Sequence, residues 1–409
     1  MRKKIEFFLR LPTGLKAMIG SAFLVAFGSF MVTPFLGIYL KQSVDMNFEM
    51  IGTILALGTF IQFGGGVLGG AIAESFGLKQ TMIGSLILRT AGFLLLAASV
   101  NSPVLVVPAI LIGAFGPALY LPANRAYIVS CVTSNEKPLF LSISNASMNA
   151  GMAIGPLIAA LLIIQDPSLL FILVAILFSI IILIHQVTLP TVAEHDSARR
   201  FYEFRTKLPE ALIKVWRPLL VNVLIFYCYF YFQNFMGIYA SGVVGVKFFS
   251  LLTLLNFTTM VFIQPILAKW IASTNYKIGM TSAFVSLGMG MVIMGIGSHT
   301  ALFLGTFVMT LGQCFLFLRG DLELVNLLPD MPAMAFGVQR LAMGVGGLFS
   351  GIIGGKIYRI VEANPGNFWQ IAGLQCAIAG FFIPILFSKK IEAMFLTPKM
   401  AKELHIEPN

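Results

Sequence analysis

Charge is what this sequence has least of. Asp, Glu, Lys and Arg make up 11% of its 409 residues, against roughly 25% in an ordinary soluble domain. Hydrophobic residues fill 58% of the chain, a balance that excludes a soluble enzyme. Cysteine is scarce as well. Cys131, Cys228, Cys314 and Cys376 lie far apart with no CxxC spacing, and three fall in apolar runs where a thiol acts as a small hydrophobe, so neither a disulfide nor a metal site is implied. There is no Walker loop, no zinc spacing and no nucleophile elbow with partners, which leaves enzymatic chemistry, metals and cofactors without residues to carry them. The net charge of +10 is not gathered into a basic helical patch, so it does not point to nucleic acid.

What the sequence has instead is long apolar runs. Crossing roughly 30 Å of hydrocarbon takes about 20 helical residues, and twelve runs qualify: 17–40, 50–73, 80–100, 103–124, 138–164, 168–189, 217–241, 248–271, 278–298, 300–320, 333–358 and 367–388. No strand alternation competes, and helices satisfy their own backbone in lipid, so the expectation is an all-α membrane protein. The first run follows a basic leader, but it exceeds a signal-peptide core and lacks a small-residue cleavage site, which reads as a retained helix.

An even number of spans places both termini on one side. Of the 27 cations, 20 fall in the N-tail, the even-to-odd loops or the C-tail, while Arg89, Arg319 and Arg340 lie inside spans. Positive charge is retained in the cytoplasm, so both termini are expected there, in a multi-pass protein of the bacterial inner membrane. The one long polar segment follows the sixth span and carries Glu194-His195-Asp196 and Arg199-Arg200. This divides the chain into a six-helix bundle over 1–190, a linker over 191–216, a second bundle over 217–388 and a tail over 389–409. Gly37-Ile38-Tyr39 and Gly237-Ile238-Tyr239 close the first and seventh spans, a repeat that agrees with the cut.

Three motifs carry a resemblance. The loop after the second span reads Gly70-Ala-Ile-Ala-Glu74-Ser-Phe-Gly77-Leu-Lys79. The fifth span contains Gly151-Met-Ala-Ile-Gly155-Pro156, and the fourth ends Pro122-Ala-Asn124-Arg125-Ala126. Together they resemble the major facilitator superfamily: the first its cytoplasmic gating loop, with Glu in place of the usual Asp, the second its antiporter signature, and the third the fourth-span end of drug:proton antiporters. The arginine that this branch carries earlier in the fourth span is Ala109 here. The resemblance implies two six-helix bundles, alternating access, export of a small organic molecule by proton antiport, and a monomer.

Candidate residues follow from the cost of polar groups in lipid. Arg89 sits about 15 Å into the third span, placed to bind an anion or to bond backbone carbonyls. Asp321 or Glu323 would exchange the proton, with Arg319 and Arg340 as partners, or these charges form interfacial ion pairs. Ser142, Asn145 and Asn149 share a face of the fifth span; Tyr227, Tyr231 and Asn234 share one of the seventh, with Gln233 inside the aromatic run Phe226 to Phe235; Asn256 joins Thr253 on the eighth. These stripes line a cavity or bond helix to helix. Glycines at 58, 64–66, 69 and 70 and at 344, 346, 347, 351, 354 and 355 suit a close seam between the second and eleventh spans. The arginines keep an alternative open, a transporter of an anionic metabolite or siderophore-like carboxylate. A lipid flippase or a non-transporting sensor has less support, since nothing resembles a signalling domain.

Overall fold

The computed structural model describes residues 13–66, 69, 72–73, 76–132, 137–190, 197–328 and 332–388, and all regular structure among them is helical. Eleven of its helices are long and apolar enough to cross a bilayer. In chain order the elements are α1 (Thr13–Val32), a 3-10 turn at Thr33–Phe35, α2 (Leu36–Gln42), α3 (Phe48–Gly64), α4 (Leu78–Ser99), α5 (Val106–Ser130), α6 (Lys137–Leu162) and α7 (Pro167–Thr188). They continue with α8 (Ser197–Val243), α9 (Val246–Ser273), α10 (Tyr276–Met294), α11 (His299–Leu327), α12 (Pro332–Ile360) and α13 (Gly366–Leu386). The first span is interrupted at Pro34, where the missing N–H breaks the ladder between α1 and α2. The second expected span begins as α3, an apolar helix of 17 residues that falls just short of the other eleven.

Polar residues at the span ends satisfy the first backbone N–H groups. Asn47, Asp166, Asn275 and Ser298 cap α3, α7, α10 and α11 through side-chain oxygens. Around the outside, Leu183, Phe262, Ile266, Ile278 and Phe381 are all more than 60% exposed. Such a shell is tolerable only where the solvent is lipid.

The packing repeats. In the first half α1 lies on α6, α3 on α5, and α4 on both α5 and α7; in the second α8 lies on α12, α9 on α11, and α10 on both α11 and α13. Each contact of the first set has its counterpart in the second. Between the halves α3 meets α12 and α6 meets α9, again equivalent pairs. The Gly-Ile-Tyr repeat obeys the same symmetry. Tyr39 hydroxyl bonds Ser99 Oγ at the end of α4 (2.8 Å), and Tyr239 hydroxyl donates to Met294 O at the end of α10 (3.2 Å). The two repeats also face each other, with Gly37 against Ile238 and Gly237 against Pro34 O.

Gly14 packs near Thr188 O, Lys79 binds the end of α7, and Lys277 binds Phe387 O, which defines a proximal side shared by both chain ends of the described structure. The opposite, distal side carries residues 39–49, 99–103, 239–247 and 359–366.

Two expectations need correction. The segment 191–216 is not a polar linker throughout: from Ser197 it is helical and runs without a break into the seventh span as the 47-residue α8. Leu208, Ala211, Leu212, Val215 and Leu219 recur every three or four residues and pack with Leu324, Leu328, Ala335 and Val338, which buries one face of that extension. The tenth span does not stop at residue 320 but continues to Leu327, bringing Asp321 and Glu323 fully inside the helix.

Candidate functional site

The densest intramembrane charge lies between the halves on the proximal side. Asp321 on α11 is about 9 Å from the proximal end of its helix, Arg340 on α12 about 12 Å, and Arg125 on α5 about 8 Å. Gln339 Nε2 donates to Asp321 Oδ1, and Arg125 and Arg340 are its electrostatic partners. Arg125 lies one residue beyond the apolar run 103–124, which Asn124 ends. The helix carries on to Ser130, however, and leaves Arg125 inside the span. Its signal in the sequence was the absence of any helix-terminating residue between Ala123 and Ser130.

Helical geometry sorts the remaining charges. Arg319 and Glu323, four residues apart, form an ion pair (3.1 Å), and the Arg319 guanidinium lies 5.2 Å from the Tyr276 ring of α10. Asp321 sits between them in sequence but about 200° round the helix from Arg319, so it turns toward α12 and α5 instead. Of the two arginines expected to serve Asp321, Arg340 does so and Arg319 is committed to Glu323.

An aromatic wall adjoins this cluster. Phe63 of α3 lies under Arg340 (5.7 Å) and meets Phe230 (5.8 Å). Phe230 meets Tyr229 (5.3 Å), Tyr229 meets Phe317 (5.0 Å), and Phe317 meets Phe226 (5.3 Å). Gln233 donates to the Tyr229 hydroxyl, one helical turn deeper. Phe63, Tyr229, Phe317 and Gln233 are only partly buried along this wall.

The other expected binding residues are distributed more widely. Tyr227 and Tyr231 both donate to Gln375 Oε1 on α13 (2.8 and 2.7 Å) and bond each other, inside the second half. Asn256 is fully buried and donates to Thr310 Oγ1 and Gln313 Oε1 (2.8 and 2.9 Å), tying α9 to α11. Asn234 Nδ2 is buried with no hydrogen-bond partner among the described residues, while Asn145 is exposed and Asn149 half-buried on α6. Arg89 Nη1 donates to Gly113 O (2.9 Å), its guanidinium lies 5.0 Å from the Phe93 ring, and its stem packs against Gly116. All of these Arg89 contacts lie within α4 and α5. The side chain of Ser142 lies outside the described residues.

Of the gating-loop residues, Gly70 and Glu74 lie outside the described residues. Gly77 adopts φ 91° ahead of α4, a conformation that suits glycine alone. Lys79 Nζ donates to Gln186 O and Leu189 O (2.9 and 2.7 Å), neutralising the carbonyl end of α7 in its own half. Gly151 and Gly155 press α6 onto α1: a Cβ on Gly155 would stand 2.6 Å from Phe27 O. Pro156 lies in the same stretch of α6. A close seam joins α3 and α12, since a Cβ on Gly52 would stand 2.8 Å from Gly355 Cα and one on Gly344 2.8 Å from Gly64 N, but of the glycines expected there from the second span Gly58, Gly65 and Gly69 pack against Ile110 and Ala118 of α5 instead.

On the distal side the halves are held by ion pairs of opposite polarity. Arg359 Nη1 donates to Glu49 Oε2 at 2.5 Å, and Lys41 pairs with Glu362 at 3.8 Å while lying 4.6 Å from the Phe48 ring. Beneath them is a cavity of about 280 Å³ lined in part by Ile38, Tyr239 and Tyr358.

Comparison with known proteins bears on this architecture. Multidrug resistance protein MdtH of Shigella boydii serotype 4 and that of Escherichia coli strain K12 / DH10B are each 29% identical over 194 residues, which is 47% of this chain and 46% of theirs. The chain thus matches about half the length of these curated relatives. Among solved structures, a peptide transporter POT in complex with sulfate has a TM-score of 0.76 at 13% identity, over 94% of this chain and 96% of that one. A variant of the nucleoside transporter NupG has a TM-score of 0.71 at 16% identity, over 92% and 100%. Both carry the same fold. The family model described as Major Facilitator Superfamily matches residues 18–320, and with twofold-repeated packing around a charged crevice, this chain belongs to that superfamily of membrane transporters.

Proposed function

We propose that the protein exports a small organic molecule across the cytoplasmic membrane by alternating access, exchanging it for a proton at Asp321. The observation that carries the proposal is the position of that carboxylate. It lies inside a span, at the junction of the halves, with Arg125 from one half and Arg340 from the other as its partners. A carboxylate in lipid is costly enough to be retained for function, and a group at the junction of two rocking bodies is available to each side in turn.

Twelve spans in two six-helix bundles, with α3 completing the second span, fit the repeated packing. The first bundle ends near residue 190 and the second begins with α8. Export is supported by the multidrug resistance relatives and by Gly151, Gly155 and Pro156. The distribution of cations supports cytoplasmic termini, so the proximal side faces the cytoplasm. In the present arrangement the distal ion pairs close the outer face. The protein works as a monomer, with the bilayer and protons as its other partners.

The test is transport by reconstituted protein under an imposed pH gradient with cationic, neutral and anionic compounds. Substrate-driven proton movement is expected from the native protein and not from Asp321→Asn. Undiminished coupling in that variant removes the proton site. Two arginines around one carboxylate favour a second reading, transport of an organic anion; polycarboxylates alone would then elicit a response.

A further inference from the structure

Among the described residues the charge around Asp321 does not balance. Arg125 and Arg340 bring two positive charges against the single carboxylate of Asp321. Among the described residues neither guanidinium has a hydrogen bond or an ion pair within 4.0 Å. Among the described residues the polar groups nearby are neutral or already paired: Gln339 on α12 donates to Asp321, Asn222 of α8 lies beside Gly320 and donates to Pro218 O, Gln264 of α9 bonds Cys314 O, and Tyr276 of α10 faces the Arg319–Glu323 pair. Among the described residues the site therefore has surplus positive charge, with planar donors that no described residue occupies, which suits a bidentate anion.

Linkage limits what that anion can be part of. A ligand and a proton that bind the same site alter each other's affinity reciprocally. An anion alone adds negative charge beside Asp321 and draws a proton onto the site, so the two would travel together. Antiport requires the reverse, a positive group that displaces the proton from Asp321. Two arginines and an exchanging carboxylate are both used only by a ligand carrying both charges.

We infer that the crevice between α5, α11 and α12 binds an aromatic zwitterion, its anionic group on Arg125 and Arg340, its cationic group on Asp321, and its ring system on the wall from Phe63 to Phe317. The inference rests on proton exchange at Asp321. The wall fits the role because it runs from beneath Arg340, through Phe230 and Tyr229, to a ring one helical turn from Asp321. It thus connects the two charged ends. Ring faces and edges of this kind accept stacked or T-shaped aromatic partners.

The experiment uses full-length protein in lipid nanodiscs and three probes with one aromatic body: 2-naphthylalanine, its methyl ester and its N-acetyl derivative, which at about pH 6, below the amine pKa of the ester and above the carboxyl pKa of the others, are zwitterionic, cationic and anionic. Calorimetry in two buffers of different ionisation enthalpy gives affinity and protons exchanged. The zwitterion is expected to bind at least about tenfold more tightly than either singly charged probe and to release a proton, while the N-acetyl derivative takes one up. Arg125→Gln or Arg340→Gln should bring the zwitterion down to the ester's affinity without weakening the ester. An ester that binds native protein as tightly as the zwitterion overturns the inference without any variant, as does binding of none of the three at millimolar concentration. Proton release that persists in Asp321→Asn defeats the proton site instead and leaves the charge preference standing, so the two failures are distinguishable.

Discussion

Replacing Arg359 by Gln should open the distal face, and the size of the effect follows from exposure. The Arg359–Glu49 pair is short, 2.5 Å, but its side chains are 62% and 36% exposed. Lys41–Glu362 is longer, 3.8 Å, at 31% and 55%. Solvent-exposed pairs are each worth about 0.2–1 kcal/mol, so removing Arg359 should shift the balance between distal-closed and distal-open states by up to about fivefold. Spin labels at Val104 and Ile296, exposed at the distal ends of opposite halves, would report the change as growth of a longer-distance population. Charge reversal of both partners, Glu49→Arg with Arg359→Glu, should restore the native distribution, because the two side chains meet across the halves. At 1 M salt the Debye length falls to about 3 Å, and the variant should converge on the native protein. An unchanged distance distribution in Arg359→Gln at low salt would falsify the idea that this pair holds the face shut.

Further consequences concern residues whose roles the contacts define. Gly52→Val places side-chain atoms where Gly355 Cα and Gly351 O stand; overpacking of this kind costs about 1–3 kcal/mol, expected as a lower melting temperature and slower transport, and a variant with native values of both would show the seam to be loose. Asn256→Ala removes the donor shared by Thr310 and Gln313. Hydrogen bonds between membrane helices are worth about 0.6–2 kcal/mol, so a lower melting temperature with unchanged substrate range is expected; an altered range would mean that Asn256 touches substrate. Arg89→Leu should likewise destabilise without changing the preference among cationic, neutral and anionic compounds, since its contacts with Gly113 O, Phe93 and Gly116 all lie within α4 and α5. Loss of anion binding alone in that variant would return Arg89 to the substrate site.

The spans were legible because hydropathy is a one-dimensional signal and each run is bounded by charge or by Gly, Pro and Asn. Where structure and sequence part, the cause is a helix outlasting its apolar run. Arg125 and Asp321 both lie one residue past the end of such a run, 103–124 and 300–320, so apolarity alone places neither inside a span. The helical part of 191–216 carried its own clue in Leu208, Leu212, Val215 and Leu219, whose spacing is that of an amphipathic helix. Periodicity also holds the answer for Arg319, since i and i+4 place it with Glu323 and away from Asp321.

What no pattern could supply is the identity of a partner on another helix. Tyr227 and Tyr231 share a face, as their spacing says, but that they meet Gln375 of α13 depends on how α8 and α13 are docked. Asn256 is read equally well as cavity lining or helix-to-helix glue until Thr310 and Gln313 are placed beside it. The aromatic run Phe226 to Phe235 was visible as composition. Its division into a wall facing Phe63 and Phe317, and a buried set facing Phe368 and Tyr358, required the tertiary structure.

The most direct measurement is the lumenal pH of proteoliposomes containing native protein or Asp321→Asn, followed under an imposed gradient as substrate is added. The account predicts proton movement with native protein, and with the variant substrate binding that no longer moves protons. Equal proton fluxes from the two proteins would contradict it, and with it the claim that the crevice bounded by Arg125, Asp321 and Arg340 is where transport and proton exchange meet.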